Sequence, residues 1–304
     1  MTAPLVISMP GNEAMAEALA RRLAADLGQI ELHAFPDGET YLRLLTSVSG
    51  RDVAFVCTLD HPNDKILPLL FAAATARELG VARVGLVTPY LAYMRQDRRF
   101  KPGEAVTSRE VARLLSDAFN WLVTVDPHLH RYSSLAEIYR ISARVVHAAP
   151  LISQWVKEYV SNPLIIGPDS ESEQWVSAVA TDAGAPYAVL DKIRRGDRNV
   201  QISIPDLLDL AGRTPVLVDD IISSGRTMIE AVRLLKTRGA SAPICIAVHG
   251  LFADNSDTVL AQAGARVVTS NTIPHERSCI DVSGLLANSI RDLASMPSID
   301  SIPG

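Results

Sequence analysis

Cysteine is scarce. Three residues, Cys57, Cys245 and Cys279, occur in 304, and no two stand at CxxC spacing. So odd and scattered a set excludes a disulfide framework and suits buried thiols in a reducing cytoplasm. Long apolar runs are missing as well. The longest nearly apolar stretch, ILPLLFAAATA from Ile66, is too short to span a bilayer. The start, MTAPLVISMPGNEA, lacks a basic segment followed by an apolar core, so no signal peptide is expected. Nor is there an excess of positive charge. Twenty-nine Lys and Arg face 34 Asp and Glu, a formal net charge of −5, which argues against a nucleic-acid polymer or a membrane surface as partner. Local basic clusters therefore read as sites for particular anions, and the protein is expected in the cytoplasm.

What is present is ordinary for a folded chain: 48% hydrophobic and 21% charged residues. The length is twice that of a typical domain of about 150 residues. Short Val-, Ile- and Leu-rich runs (LVIS, DVAFVC, RVGLVTPY, WLVTVD, PLIIG, YAVLD, PVLVDD, ICIAVH, ARVVTS) alternate with helical patterns. Helices are predicted over Asn12 to Leu27, Ile66 to Leu79, Thr107 to Ala118, Glu173 to Ala183 and Arg226 to Arg238. Apolar strands spaced by helices indicate an α/β fold with parallel sheets covered on both faces. PLVISMPGNEAMAEALARRLA near the start parallels PLIIGPDSESEQWVSAVATDA from Pro163, and a second pair of segments repeats at a similar offset. Two duplicated domains, 1–145 and 146–304, are expected, joined near Arg144 to Pro150.

The most telling stretch is VLVDDIISSGRTM, residues 216–228. A strand delivers Asp219 and Asp220 to the carboxyl end of a sheet, where open α/β folds bind ligands. Ser223, Ser224, Gly225 and Thr227 lead into a helix, and such a turn offers N–H groups and hydroxyls to a phosphate. Two aspartates on the same phosphate would cancel that attraction. A carboxylate pair accepts well from a sugar diol, so a ligand with a phosphate at one end and a ribose at the other satisfies both halves. A helix N-terminus behind two solvated acids has the same local pattern.

This run resembles the 5-phosphoribosyl-1-diphosphate (PRPP) motif of type I phosphoribosyltransferases and ribose-phosphate diphosphokinases. The resemblance implies that Asp219 and Asp220 hold the ribose 2- and 3-hydroxyls. Ser223, Ser224, Gly225 and Thr227 would hold the 5-phosphate. Four further stretches are similar to the diphosphokinases, which make PRPP rather than consume it. FPDGETYLRL implies an ATP-binding segment, with Phe35 stacking on adenine and Asp37 and Glu39 accepting from its amine. In the family this segment reaches into a neighbouring subunit's ATP site, which implies a homo-oligomer with a shared site. PYLAYMRQDRRFKPGEAVTS implies ATP contacts from Arg95, Gln96 and Arg99, since guanidinium groups bind phosphate in a fork. TVDPHLHRY places His128 at ATP phosphates or their Mg²⁺. His128 and His130 could also share one side of an extended chain as zinc ligands, but no further pair or acid stands at a supporting spacing. In YAVLDKIRRGDRNVQI a strand ends at Asp191, and a cationic loop is expected to carry Lys192 and Arg194, which inherit the catalytic roles.

The implied reaction transfers a diphosphoryl group from MgATP to the C1 hydroxyl of ribose 5-phosphate. Mg²⁺ would bridge phosphates near His128 and Asp169. Two departures stand out. Arg226 replaces a glycine of the family's phosphate loop, and would be strained if a positive φ were needed there. Ser170-Glu171-Ser172-Glu173 replaces a glycine-bearing diphosphate loop, with acids where a polyphosphate would be repelled. They keep a catalytically weak regulatory paralogue, or a phosphoribosyltransferase using PRPP, as alternatives.

Overall fold

The computed structural model describes residues 4–294 apart from 130, 170–171, 196–198 and 204–209. It divides into two compact units, one made of the chain up to Val146 together with the C-terminal segment from Ser283, the other of His147–Val282.

In the first unit the elements run β1 (Leu5–Ser8), α1 (Glu13–Leu23), β2 (Leu27–Gly28), β3 (Ile30–Ala34), β4 (Thr40–Leu44), β5 (Asp52–Val56), α2 (Pro62–Glu78), β6 (Arg83–Thr88), α3 (Thr107–Ala118), β7 (Trp121–Val125) and β8 (Ser142–Val146). Six of these strands form a parallel sheet in the order β2-β1-β5-β6-β7-β8. The strands β1, β5, β6 and β7 are almost wholly buried, as their continuous apolar runs require of a sheet covered on both faces. Helix α1 is shorter than its periodicity predicts. It stops where Ala24 turns left-handed (φ 51°) and its N–H reaches back to Ala20 and Arg21, which frees Leu27 to enter the sheet. Helix α2 begins four residues early because Pro62 can occupy the first turn, where no N–H is needed. Strands β3 and β4 form an antiparallel ribbon not expected from the sequence, pairing Ile30 with Leu44 through Ala34 with Thr40.

The second unit runs α4 (Ala149–Tyr159), β9 (Pro163–Gly167), α5 (Glu173–Ala183), β10 (Tyr187–Val189), β11 (Asp191–Arg195), β12 (Asn199–Ser203), β13 (Thr214–Ile222), α6 (Arg226–Thr237), β14 (Ile244–Gly250), α7 (Ser256–Gln262), β15 (Arg266–Ser270) and β16 (Ser278–Ile280). Its parallel sheet, β10-β9-β13-β14-β15-β16, repeats the order of the first. Leu217, Met228, Val232, Leu235, Cys245 and Val267 pack α6 onto one face of it.

The second domain expected at 146–304 ends instead at Val282. Helix α8 (Ser283–Ala294) belongs to the first unit. The reason is apolar burial: Leu286, Ala287, Ile290 and Leu293 are almost fully buried. The polar fastening is local too, with Arg22 Nε donating to Ser283 Oγ at 2.8 Å and Arg83 donating to the Leu293 carbonyl at 3.2 Å. The cysteine expectation needs one correction, because Cys57 and Cys245 are buried while Cys279 is exposed.

Gly85 tests the packing of the first sheet. It lies opposite Trp121 in the β6–β7 register, and a Cβ added there would stand 1.9 Å from the indole. Gly85→Ala is expected to destabilise the chain by about 1–3 kcal/mol through overpacking. Urea unfolding followed by tryptophan fluorescence would read this as a lower midpoint, and an unchanged midpoint would mean that Trp121 repacks freely.

Candidate active site

At the second unit's sheet edge, β13 continues beyond the apolar run and carries both acids inside the strand, Asp219 opposite Ala247. Asp219 and Asp220 are half-buried, and the Asp220 N–H donates to Asp219 Oδ1 at 3.0 Å. Asp169 follows the neighbouring strand β9. Burial pushes the Asp219 carboxyl well above its ordinary value of 3.8, and the negative charges of Asp220 and Asp169 push it further. Three carboxyl groups thus crowd the carboxyl ends of two adjacent strands.

Residues 223–225 then turn into α6. Gly225 stands at the helix start with φ 64°, and a Cβ there would approach Ser256 Cβ to 2.9 Å. Backbone conformation and space both require glycine. The first intrahelical bond runs from Ile229 N–H to the Gly225 carbonyl at 2.8 Å. The preceding N–H groups of the first turn therefore have no helical acceptor, the feature by which a helix start can receive an anion. Ser256 backs the turn, its Oγ donating to the Ser223 carbonyl at 2.7 Å, and Leu251 and Phe252 N–H groups both donate to the Ile222 carbonyl. The left-handed residue is Gly225, so Arg226 takes an ordinary helical conformation with its side chain exposed. The strain anticipated at Arg226 does not arise.

In the first unit, the segment after β6 carries Arg95, Gln96 and Arg99, and the loop after β7 carries His128. Arg95 and Arg99 are exposed and Gln96 half-buried. Arg99 Nε donates to the Glu104 carbonyl at 2.9 Å, and Gln96 receives the Thr107 hydroxyl at 3.4 Å and the Ser108 N–H at 3.4 Å. Phe35, Asp37 and Glu39 lie at the tip of the β3–β4 ribbon. The Phe35 N–H donates to the Glu39 carbonyl at 2.7 Å, and Glu39 N–H donates to Asp37 Oδ1 at 3.1 Å. Phe35 is 45% exposed, and behind it His33 stacks on Tyr41 with centroids 4.4 Å apart. Lys192 and Arg194 lie on β11, in register with Ile202 and Val200 of β12. The loop expected from Lys192 onward is thus a β-ribbon at its base.

Matches to known proteins cover both units. Residues 5–118 match the family model described as the N-terminal domain of ribose phosphate pyrophosphokinase. Residues 134–285 match the model of the phosphoribosyl transferase domain. The chain is 33% identical to the ribose-phosphate pyrophosphokinase of Saccharolobus solfataricus over 293 residues, covering 94% of this chain and 100% of that protein. It is 35% identical to the one from Sulfolobus acidocaldarius, covering 90% and 96%. The chain belongs to the ribose-phosphate pyrophosphokinase family. Among solved structures, the phosphoribosylpyrophosphate synthetase of Mycobacterium smegmatis matches with a TM-score of 0.82 at 25% identity, covering 96% of this chain and 99% of that one.

Within the family fold, the two units carry different chemistry at equivalent places. Val53 pairs with Leu5 in the first sheet as Pro215 pairs with Leu164 in the second. Counting on, Cys57 and Thr58 occupy the places of Asp219 and Asp220. Burial pushes the Cys57 thiol up to about 12, so it is an inert apolar group rather than a ligand. Lys65 donates to the Thr58 carbonyl at 3.0 Å and pairs with Asp60, filling that edge with its own cation.

The donor set suits Mg²⁺ at the second unit's edge, since hard carboxylate oxygens crowd there and a divalent cation relieves their mutual repulsion. Among the described residues no group of three or more His, Cys, Asp or Glu side chains is placed to hold a metal ion by itself. His128 belongs to the first unit and Asp169 to the second. Of the altered diphosphate loop, Ser170 and Glu171 lie outside the described residues. Ser172 donates to the Asp169 carbonyl through its N–H at 3.2 Å and its Oγ at 2.6 Å, and Glu173 is exposed in the first turn of α5.

Sequence reasoning missed Ser256, which lies 33 residues from the carbonyl it binds. It also missed Arg131 and Tyr132, which bind residue 97. No local pattern marks such residues, because their partners are distant in the chain.

The raised Asp219 carboxyl predicts a pH-dependent stability. Below the ordinary aspartate value the group is protonated in both folded and unfolded chains and costs nothing. As pH rises toward and through the raised folded-state value, keeping it buried costs stability. Without divalent cations, Asp219→Asn should therefore raise Tm near neutral pH, by about 2–4 °C for each kcal/mol relieved. The gain should vanish below about pH 4. Thermal scans across that range decide it, and equal Tm values at neutral pH would remove the burial penalty.

Proposed function

We propose that this chain makes PRPP and AMP from ribose 5-phosphate and MgATP. The observation that carries this reading is the pairing of Asp219 and Asp220 with the Gly225 turn, in a chain that also has the family's N-terminal domain. The acid pair and turn suit a phosphorylated ribose. The N-terminal elements are what a PRPP-consuming transferase does without.

Asp219 and Asp220 accept the 2- and 3-hydroxyls of ribose 5-phosphate. The N–H groups and hydroxyls of Ser223, Ser224, Gly225 and Thr227 hold its 5-phosphate. Arg95, Gln96, Arg99 and His128 hold the ATP phosphates, and Phe35, Asp37 and Glu39 hold adenine. The C1 hydroxyl attacks the β-phosphorus and gives up its proton to solvent, and the bond from that phosphorus to the AMP oxygen breaks. Lys192 and Arg194 neutralise charge on the transferring oxygens, the principal demand of phosphoryl transfer. Asp169 and His128 are the side chains that would hold Mg²⁺, which would supply charge neutralisation at the phosphates.

A second copy of the chain completes the ATP site. This assignment is supported by the apolar surface of the first unit. Phe35 projects from its ribbon, and Leu67 and Phe71, one turn apart on α2, are 53% and 42% exposed. Strand β4 lies against α2, so ribbon and helix offer neighbouring apolar surfaces. Such a face on a metabolic enzyme is an oligomer contact. A cytoplasmic location agrees with ATP as substrate and with free, buried Cys57 and Cys245. No helix among the described residues is long and apolar enough to cross a membrane.

³¹P NMR of the chain with ribose 5-phosphate and MgATP should show AMP and PRPP; absence of AMP rejects the reaction. Diphosphate release from PRPP on adding a nucleobase would favour a transferase instead. In the same assay Lys192→Ala should lower kcat by about 10²–10³, as for the loss of one preorganised donor. An unchanged kcat removes Lys192 from the mechanism. Phe71→Glu is expected to give smaller particles by light scattering and to lose activity in parallel, whereas a fully active monomer would disprove the shared site.

A further inference from the structure

The segment 95–99 alternates in exposure. Arg95, Arg98 and Arg99 are exposed, whereas the Asp97 side chain in their midst is 2% exposed. Both of its carboxylate oxygens accept from one residue of another loop. Arg131 Nη1 donates to both oxygens, at 2.8 and 3.0 Å. The next residue, Tyr132, donates its hydroxyl to the main-chain carbonyl of the same Asp97 at 3.1 Å. That hydroxyl also lies 3.3 Å from Ser108 Oγ and receives Arg109 Nε at 3.4 Å, both from α3. Phe100 closes the cluster, with the guanidinium groups of Arg98 and Arg131 at 4.7 and 5.5 Å from its ring centroid.

Two consecutive residues therefore grip one residue, by its side chain and by its backbone. The grip joins the segment after β6 to the loop after β7. The first carries Arg95, Gln96 and Arg99 around Asp97, and the second carries His128 three residues before Arg131. A buried carboxylate deprived of its partner is strongly unfavourable, so Asp97 cannot swing out to a ligand while the pair holds. A site for a polyphosphate needs its cations held in register, and exposed arginines on a long segment lack that register by themselves.

We propose that Arg131 and Tyr132 are positioning residues that set the nucleotide-phosphate site, with Asp97 as the point they hold rather than as a ligand. The inference rests on the reading that Arg95, Gln96, Arg99 and His128 bind ATP. The role is electrostatic and geometric. Arg131 spends its charge on Asp97, and what reaches the nucleotide is the placement of the residues on either side.

Calorimetric titration of the full chain with MgATP, and separately with ribose 5-phosphate, tests this. Arg131→Ala should raise the Kd for MgATP on the order of tenfold while leaving that for ribose 5-phosphate within about twofold, the range typical of lost support behind a ligand-binding group. Arg131→Lys should restore most of the affinity, because one ammonium nitrogen can bridge both oxygens as Nη1 does. Tyr132→Phe removes only a hydroxyl, so a weaker but clear loss of MgATP binding there separates positioning from direct contact between Arg131 and phosphate. It also carries the test if Arg131→Ala does not fold. Wild-type affinity for MgATP in Arg131→Ala overturns the proposal. So does equal loss of both ligands, or a silent Tyr132→Phe. Binding is read without turnover, so a wild type that binds MgATP but releases no AMP rejects the reaction and not the positioning role. A wild type that binds no MgATP rejects both.

Discussion

The acid-lined edge of the second sheet depends on one gap too small for a methyl group. Between the backbone of Gly225 and Ser256 Cβ a side-chain carbon would have 2.9 Å, and the backbone there already holds φ 64°. Because residue 225 is glycine, β13 can end, turn tightly and start α6 with its first N–H groups aimed outward. Because Ser256 fills the space behind and takes the Ser223 carbonyl, the turn has a rigid backing. The supporting segment has left-handed residues of its own, Phe252, Asp254 and Asn255, each held by surrounding structure against its ordinary preference. With the turn in place, Asp220 and Asp219 stand three and four residues before Ser223, within the same strand.

The same strand order built twice gives two edges with opposite electrostatics. In the second unit, burial and the negative charges of Asp220 and Asp169 raise the proton affinity of Asp219 and leave an edge in need of hydroxyl donors or a cation. In the first, Cys57 and Thr58 occupy the equivalent places and Lys65 donates into that edge. The first unit instead carries the exposed Arg95 and Arg99 on the segment after β6 and His128 on the loop after β7. Topology supplies two equivalent edges, and side-chain substitution decides which ligand each can take.

Much of this was legible in the sequence. Alternating apolar runs and helical patterns located the central strands of both sheets, and the bounds of α3 and α5 fell where the pattern put them. The acids and the glycine turn were recognisable because their chemistry is local: a strand, two carboxylates, a tight turn and a helix within thirteen residues. Other features were not legible. Helix α8 carries an ordinary amphipathic pattern that says nothing about which sheet it covers, and it joins the first unit although the chain reaches it from the second. The β3–β4 ribbon leaves little of its side-chain surface in a core, so alternation signalled no strand. Helix α4 (Ala149–Tyr159) was not expected either, although the boundary between the units, after Val146, falls within the joint read at Arg144 to Pro150.

The sequence by itself determined the α/β class, the duplicated plan, the family, and the residue types available at the second unit's acid-lined edge, since each is written in contiguous stretches of chain. Only the tertiary structure decided which contacts give those residues their properties. It put the positive φ on Gly225 and so relieved Arg226. It gathered Asp169 beside Asp219 from a strand fifty residues away and set Arg131 against Asp97 across 34 residues. Backbone conformation at a turn and the energy of a buried charge depend on neighbours in space, and distance along the chain does not encode those neighbours.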